Sequence, residues 1–121
     1  MARVVVAGLG PAGPDLITDE TRRLIDSAGQ IRLRTHRHPA ASIAPDVPSF
    51  DHHYEGADDF DAVYRAIVAD LVALAESEGE VLYLVPGSPR VLERTVDWLV
   101  ADERVEVDVR PAMSFLDLAW V

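Results

Sequence analysis

The chain has 121 residues, of which 49% are hydrophobic and 26% are charged, and it carries a net charge of −10. This length corresponds to one small domain, and the composition is that of a folded domain rather than a disordered chain. The absence of cysteine excludes disulfides, thiolate metal ligands and a cysteine nucleophile. No apolar stretch approaches the roughly 18–20 residues of a membrane span, and the first residues lack a signal-peptide pattern. We therefore expect a soluble cytoplasmic protein without a membrane partner.

The charge is distributed unevenly along the chain. Residues 1–40 carry six arginines against four acidic residues, whereas residues 41–121 carry five arginines against 17 acidic residues. Such an acidic body disfavours nucleic-acid binding, because neutralising phosphates supplies most of that affinity. It is equally compatible with a cationic ligand or with simple solubility. All 11 basic residues are arginine, which excludes a Walker-type phosphate loop because that motif requires a lysine.

The first half of the chain predicts two strands, one helix and an irregular segment. A strand is predicted over residues 3–8 and a helix over 19–28, with Thr18 as the N-cap and acidic residues in the first turn. A second strand, QIRLRT, follows over residues 30–35. Residues 39–57 contain three prolines and few periodic apolar positions, which is typical of irregular structure.

The second half predicts longer elements. Apolar residues recur every three or four positions over residues 59–77, which indicates a helix, and Gly79 follows its end. The continuous apolar run at 80–85 predicts a central parallel strand, residues 89–100 a further helix, and the alternating residues 104–110 an edge strand. Together these elements predict an α/β fold, a three-layer sandwich with a mostly parallel sheet of about five strands and helices on both faces.

Three glycines follow the first strand with the spacing Gly8-x-Gly10-x-x-Gly13, which is the spacing of a dinucleotide-binding loop. Pro11 and Pro14 remove two N–H donors where a pyrophosphate would need them. The following helix is predicted to begin near residue 19, too late for its first turn to contact a phosphate. The glycines also have a simpler explanation, which is a tight exit from the strand with close backbone packing.

An NADP site is one functional hypothesis for the glycine loop, and it is weaker than the two hypotheses given below. The acidic residue that would hold the ribose, about 20 positions further on, is absent from IRLRTHRH. Arg34 or Arg37 would have to bind a 2′-phosphate instead.

The loop at residues 86–89, Pro-Gly-Ser-Pro, follows the predicted central strand. Ligands of open α/β sheets bind outside the carboxyl ends of the strands, where this loop is expected to lie. Ser88 and Pro89 are typical N-cap and N1 residues, so the loop is expected to present a helix N-terminus to an anionic group, although an ordinary turn explains it equally well.

Three segments occur together in an order that resembles one enzyme family: GLGPAGPDLIT after the first strand, VLYLVPGSP at the central strand, and PAMSF after the edge strand. The chain resembles the N-terminal lobe of the tetrapyrrole (corrin/porphyrin) methylases, the class III S-adenosylmethionine-dependent methyltransferases. LRTHRHP, VPGSPRVLERTV and MSFLDLAW are most similar to the methylase-like domain fused to MazG-type nucleoside triphosphate pyrophosphohydrolases. The resemblance spans essentially the whole chain but about half of the family's usual two-lobe domain.

The resemblance implies a set of cofactor-binding residues. Family members bind S-adenosylmethionine in a trough between two α/β lobes, with backbone contacts from a PGDP-like loop. That loop corresponds here to Pro86, Gly87, Ser88 and Pro89. A second family motif, similar to PGxSS, corresponds to residues 111–114, where Met113 and Ser114 are the candidate contacts.

The resemblance also implies a substrate side of the cleft, formed by the first glycine loop. Its candidate contacts are Gly8, Gly10, Pro11, Gly13 and Asp15. The implied reaction is methyl transfer to a tetrapyrrole-like small molecule, with no metal ion and in a homodimer. Ser88 and Ala112 depart from the aspartate and glycine usual in the two cofactor motifs, and Ala12 and Gly13 disturb the usual GpGDPdL sequence.

The C-terminal segment predicts a helix opened by a capping box between Ser114 and Asp117. It ends on Trp120 and Val121, from which we expect either a chain that continues into a second lobe or an end buried in the core or a dimer. As a lone lobe, the chain is expected to bind its cofactor weakly. The second functional hypothesis is a non-catalytic module that pairs chains or docks a fused hydrolase.

The chain has four histidines, two before the irregular segment and two within it. His36 and His38 are two residues apart, and His52 and His53 are adjacent, with Asp51 and Glu55 nearby. A metal site is conceivable there, but the spacing matches no known zinc pattern, and solvated loop histidines are the preferred interpretation. Tyr54 is a weak substrate-contact candidate, and Trp98 is expected in the core or an interface.

Overall fold

The computed structural model describes residues 1–119 and shows a four-stranded sheet in which every pairing is parallel. The strands are β1 (Arg3–Gly8), β2 (Ile31–Leu33), β3 (Glu80–Val85) and β4 (Glu106–Val109), in spatial order β2-β3-β1-β4. The α-helices are α1 (Asp19–Ser27), α2 (Asp51–Tyr54), α3 (Phe60–Glu78), α4 (Arg94–Ala101) and α5 (Phe115–Ala119). Short 3-10 turns cover Pro14–Leu16 and Pro39–Ile43.

Apolar residues cover both faces of the sheet. Because successive side chains of a strand point to opposite faces, Val4 and Tyr83 pack with α3 and α4, whereas Val5 and Leu84 pack with α1 and the turn at Pro39–Ile43. The predicted three-layer α/β sandwich is confirmed. Within residues 1–119, no helix is both long enough and apolar enough to cross a bilayer.

Several local signals act as predicted. Thr18 caps α1, since its Oγ1 accepts a hydrogen bond from the Thr21 N–H at 3.1 Å. Gly79 ends α3 with a φ of 91°, a conformation that glycine adopts without strain. β3 lies between two strands and is buried from residue 81 to 85, whereas β4 is one of the two edge strands of the described sheet.

Two predictions differ from the structure. The sheet has four strands among the described residues rather than about five. The helix predicted over residues 89–100 begins only at Arg94, so the expectation that Ser88 and Pro89 open it is wrong. Ser88 caps a single turn instead, and the chain then passes through Leu92, whose φ of 56° is left-handed and incompatible with a continuous helix.

The loops that follow β1 and β3 are joined at the carboxyl edge of the sheet. The Gly10 N–H donates to the Gly87 carbonyl oxygen at 3.2 Å, and the Gly87 N–H donates to the Gly10 carbonyl oxygen at 2.8 Å. Beneath this pair, Gly8 has no room for a side chain. A Cβ there would lie 2.1 Å from the Gly87 oxygen and 2.6 Å from the Cβ of Ala112. Three loops therefore converge on one glycine.

We predict that Gly8→Ala destabilises the protein by about 2–3 kcal/mol, because the added methyl group forces two backbone segments apart. Urea unfolding monitored by circular dichroism measures this difference.

Gly29→Ala is the matched control, since its Cβ would meet nothing within 4 Å. The control is expected to change stability by less than about 0.5 kcal/mol. Equal stabilities for the two variants would contradict the packing described at Gly8.

Candidate functional site

The converging loops form the floor of a groove at the carboxyl edge of the sheet. Its volume is about 270 Å³, slightly below the roughly 300–1,000 Å³ of typical small-molecule sites. The lining comes from the loops after β1, β2 and β3 and from the start of α5. The lining residues are Pro11, Arg34, His38, Pro86, Gly87, Ser88, Val91, Leu92, Glu93, Ser114 and Phe115.

The groove brings together part of the predicted site. Four of the six cofactor candidates line it, namely Pro86, Gly87, Ser88 and Ser114. Pro89 and Met113 are not among its lining residues; Pro89 contributes instead to the crowding around Gly8. The loops after β1 and β3 thus lie at the same edge of the sheet, as predicted from the parallel arrangement.

The predicted substrate contacts are divided. Pro11 lines the groove, while Gly8 and Gly10 form the backbone junction beneath it. Gly13 and Asp15 lie at the turn Pro14–Leu16, outside the lining. Their assignment as substrate contacts stays a prediction.

Gly87 lines the groove and has open space where a side chain would begin. Its φ is 66°, which favours glycine, and a Cβ built on it would meet nothing within 4 Å. A ligand can therefore approach the backbone here. Because α4 begins at Arg94, the loop does not present a helix N-terminus, and the anion-binding role expected from one is lost.

Ser114 supports the opposite wall of the groove through the predicted capping box. Its N–H donates to Oδ2 of Asp117 at 2.8 Å, and its Oγ accepts from the N–H of Leu116 at 3.1 Å. These bonds commit the Ser114 side chain to holding the first turn of α5. Phe115, which follows it, is half-exposed in the groove lining.

A buried ion pair at the groove, Arg34 with Glu93, was not predicted from the sequence. The Arg34 Nε atom lies 3.2 Å from Oε1 of Glu93, close enough for an ion pair although the N–H is not aligned for a hydrogen bond. Arg34 also donates to the Tyr54 hydroxyl at 3.1 Å. Glu93 is only 8% exposed and accepts a further hydrogen bond from Thr95 Oγ1 at 3.0 Å.

Burial and ion pairing shift the pKa values of Arg34 and Glu93 in opposite directions. Burial raises the pKa of Glu93 above its ordinary value, and Arg34 offsets only part of that effect. Burial by itself would lower the pKa of Arg34, but Glu93 and Tyr54 outweigh it and raise that pKa. Arg34 therefore remains charged and is held in place by Glu93 and Tyr54. Its guanidinium group is thus already paired within the chain, which disfavours the binding of an NADP 2′-phosphate.

The segment after β2 is fixed by Asp51, the first residue of α2. Its carboxylate accepts hydrogen bonds from the Thr35 hydroxyl, from the His36 N–H at 2.9 Å and from the Ser49 hydroxyl at 3.1 Å. Burial by itself would raise the pKa of Asp51, but the three hydrogen bonds outweigh burial and lower that pKa below its ordinary value. Asp51 thus holds the start of the THRHP segment next to the groove.

His38 is the histidine that reaches the groove. Partial burial lowers its pKa, only partly opposed by a hydrogen bond with the Gly10 backbone. Its Nδ1 accepts from the Ala40 N–H at 3.1 Å. The side chain thus lines the groove together with Pro11 of the glycine loop after β1.

The sequence of the chain matches a known family and one curated relative. Residues 3–121 match the family described as Tetrapyrrole (Corrin/Porphyrin) Methylases. The chain is 36% identical to the uncharacterized protein YabN of Bacillus subtilis over 125 residues, a match that covers 98% of this chain and 25% of YabN. The chain thus spans a quarter of that relative.

The fold is similar to those of solved methyltransferases. Uroporphyrin III C-methyltransferase from Thermus thermophilus matches with a TM-score of 0.69 at 23% identity, over 98% of this chain and 52% of that enzyme. The same enzyme complexed with S-adenosyl homocysteine gives a TM-score of 0.68 at 21% identity, with the same coverage. The methyltransferase CobJ gives 0.65 at 21% identity, over 99% of this chain and 50% of CobJ. The chain therefore spans about half the length of these solved relatives.

We predict that Arg34→Met destabilises the protein at pH 7 by about 3 kcal/mol, because it leaves the Glu93 carboxylate buried without its counter-ion. Removing Arg34 raises the pKa of Glu93 further. The loss is therefore largest well above that pKa and shrinks as the pH falls through it and the carboxyl group becomes neutral. Urea unfolding at pH 7 and at pH 5 measures both effects.

Arg104→Met provides the control, since Arg104 pairs with Asp102 at 2.7 Å but is largely exposed. Its loss is expected to stay within about 1 kcal/mol. A loss for Arg34→Met no larger than this, or one that grows at lower pH, would contradict the structural role given to the buried pair.

Proposed function

This chain belongs to the tetrapyrrole (corrin/porphyrin) methylase family, and we propose that it forms the cofactor-side lobe of an S-adenosylmethionine-dependent methyltransferase acting on a corrin- or porphyrin-like molecule. The family predicted from the three loop motifs is confirmed. The observation that carries the proposed function is the groove at the carboxyl edge of the parallel sheet, lined by the two motifs expected to contact the cofactor. A solved relative of the same fold holds S-adenosyl homocysteine.

The groove fits a nucleoside cofactor through its backbone rather than through charged side chains. The absence of a side chain at Gly87 leaves open space at the groove, and Pro86, Ser88 and Ser114 also line it. We assign these four residues to the cofactor, with Pro89 and Met113 fixing the loops behind them. Pro11, on the glycine loop supported by Gly8 and Gly10, is assigned to the substrate side, and Gly13 and Asp15 to the shape of that loop.

The proposed chemistry demands orientation more than proton transfer. Bound S-adenosylmethionine would supply an electrophilic methyl carbon for in-line attack by a nucleophilic atom of the acceptor, with S-adenosylhomocysteine as the leaving group. The protein then has to hold donor and acceptor at contact distance and exclude water. The rigid junction of Gly8, Gly10 and Gly87 serves that purpose, because hydrogen bonds and close packing fix its loops before a ligand binds.

We further propose that a second lobe completes the trough. The groove of this chain is small and open, and the chain spans 52% of the uroporphyrin III C-methyltransferase. Exposed apolar side chains around α5, Phe115, Leu116 and Leu118, offer a surface for such a lobe to cover. On this proposal, the isolated chain binds its cofactor only weakly.

The alternative function is a non-catalytic module that pairs copies of the chain as a homodimer or docks a MazG-type hydrolase. The observation that favours it is an apolar surface at the groove itself. Leu92 is 86% exposed there, and Phe115 is half-exposed. Both functions use this surface, but only the first requires nucleoside binding in the groove.

We predict that S-adenosylhomocysteine binds the chain weakly and that Gly87→Ala weakens this binding at least tenfold, because the new methyl group enters the space assigned to the cofactor. Isothermal titration calorimetry at millimolar ligand, supported by ligand-observed NMR, measures the affinity.

Gly56→Ala is the matched control, because Gly56 has a φ of 70° and its Cβ would also meet nothing within 4 Å. Both variants carry the same backbone cost of about 1 kcal/mol, so only a groove effect separates them. Equal affinities would contradict the site assignment, and low-micromolar binding to the isolated chain would contradict the need for a second lobe. Absence of binding together with self-association would favour the pairing module.

A further inference from the structure

Two histidines and an aspartate lie close together outside the groove lining. His52 and His53 stand on α2, and Asp70 stands near the middle of α3. The nitrogen and oxygen atoms that these residues offer as ligands all lie within 4.8 Å of one another. We propose that His52, His53 and Asp70 bind a zinc-class divalent cation.

The distances are close to those that a single ion requires. Zinc binds histidine nitrogen and carboxylate oxygen at about 2.0–2.2 Å, so two ligand atoms of a tetrahedral site lie about 3.4 Å apart. In the structure, Nε2 of His53 lies 2.6 Å from Oδ2 of Asp70, and the rings of His52 and His53 are 4.2 Å apart at their centroids. Modest side-chain rotations at this exposed site would bring all three to one ion, which would replace the hydrogen bond between His53 and Asp70.

Contacts with the rest of the protein hold α2, and with it the two imidazoles, in position. Phe50 is buried in the core and stacks on His53, with ring centroids 6.0 Å apart and planes inclined by 19°. Asp51 begins the same short helix and is anchored to Thr35 and His36. The position of α2 is thus fixed by contacts that do not involve Asp70, which reduces the ordering that metal binding would require.

The ligand chemistry points to a transition-metal dication. Imidazole suits zinc, nickel and copper, whereas calcium and magnesium prefer all-oxygen sites. Three protein ligands leave a coordination position for water, and a depression of about 440 Å³ adjoins His52 and Asp70 to accommodate it. Arg32 also lines this depression, and one of its guanidinium nitrogens donates a hydrogen bond to the Ile31 carbonyl oxygen at 2.8 Å.

The carboxylate is the part of this site that the sequence did not reveal. The sequence placed Asp51 and Glu55 nearest to the histidines and favoured solvated histidines over a metal site. Asp51 is occupied by its own hydrogen bonds, and the third ligand comes from Asp70, on the next helix. The cluster therefore depends on the packing of α2 against α3 and has no signature in the spacing of its residues.

The test is a titration of the untagged, chelator-treated chain with zinc chloride, followed by calorimetry and by thermal unfolding. We expect one zinc ion per chain and a rise of several degrees in the melting temperature, because the ion binds only the folded arrangement. His52→Ala, His53→Ala and Asp70→Asn should each weaken zinc binding at least tenfold and abolish most of the thermal shift.

Glu55→Gln and Glu76→Gln are matched controls. Glu55 follows the end of α2 and Glu76 lies in α3, and each substitution removes an exposed carboxylate that is not part of the cluster. They are expected to bind zinc as the unaltered chain does. Absence of zinc binding at millimolar concentration would overturn the proposal. So would binding that survives all three cluster substitutions, or that is lost equally in the controls. Far-UV circular dichroism of each variant shows whether it remains folded.

Discussion

Two backbone hydrogen bonds between Gly10 and Gly87 hold together the loops beneath the groove, on which the proposed methyltransferase function rests. Because β1 and β3 are parallel neighbours in register, Gly8 pairs with Val85 and the two chains leave the sheet at the same level. The loops can then meet only if nothing separates them, and the missing Cβ at Gly8 allows that contact. Two of the three glycines in the dinucleotide-like spacing, Gly8 and Gly10, thus join the loops after β1 and β3.

The Arg34–Glu93 pair determines the shape of the groove on its other side. Glu93 lies at the N-cap position of α4 with extended backbone, and its carboxylate turns inward to Arg34 and Thr95. The chain between Ser88 and Glu93 therefore runs as an open turn along the groove instead of as the first turns of a helix. A buried charge pair of this kind contributes little net stability, yet removing one partner is costly, so it favours one arrangement of the loop over others.

Features set by neighbouring residues could be predicted from the sequence, whereas features set by distant ones could not. Thr18 and Gly79 bound their helices as expected, because capping depends on hydrogen bonds and backbone angles within one turn. Ser88 and Pro89 carry the same kind of local signal, but α4 begins only at Arg94, after the turn that brings Glu93 next to Arg34, 59 positions away in the sequence. The groove itself was predictable in outline, since parallel strands bring their following loops to one edge.

The role of the groove as a ligand site is tested most directly by mapping amide chemical shifts of isotopically labelled protein during titration with S-adenosylhomocysteine. We expect the largest changes at Gly87, Ser88 and Ser114, which line the groove. Changes centred on Ala2 and Gly79, at the opposite edge of the sheet, or no changes at saturating ligand, would contradict the assignment.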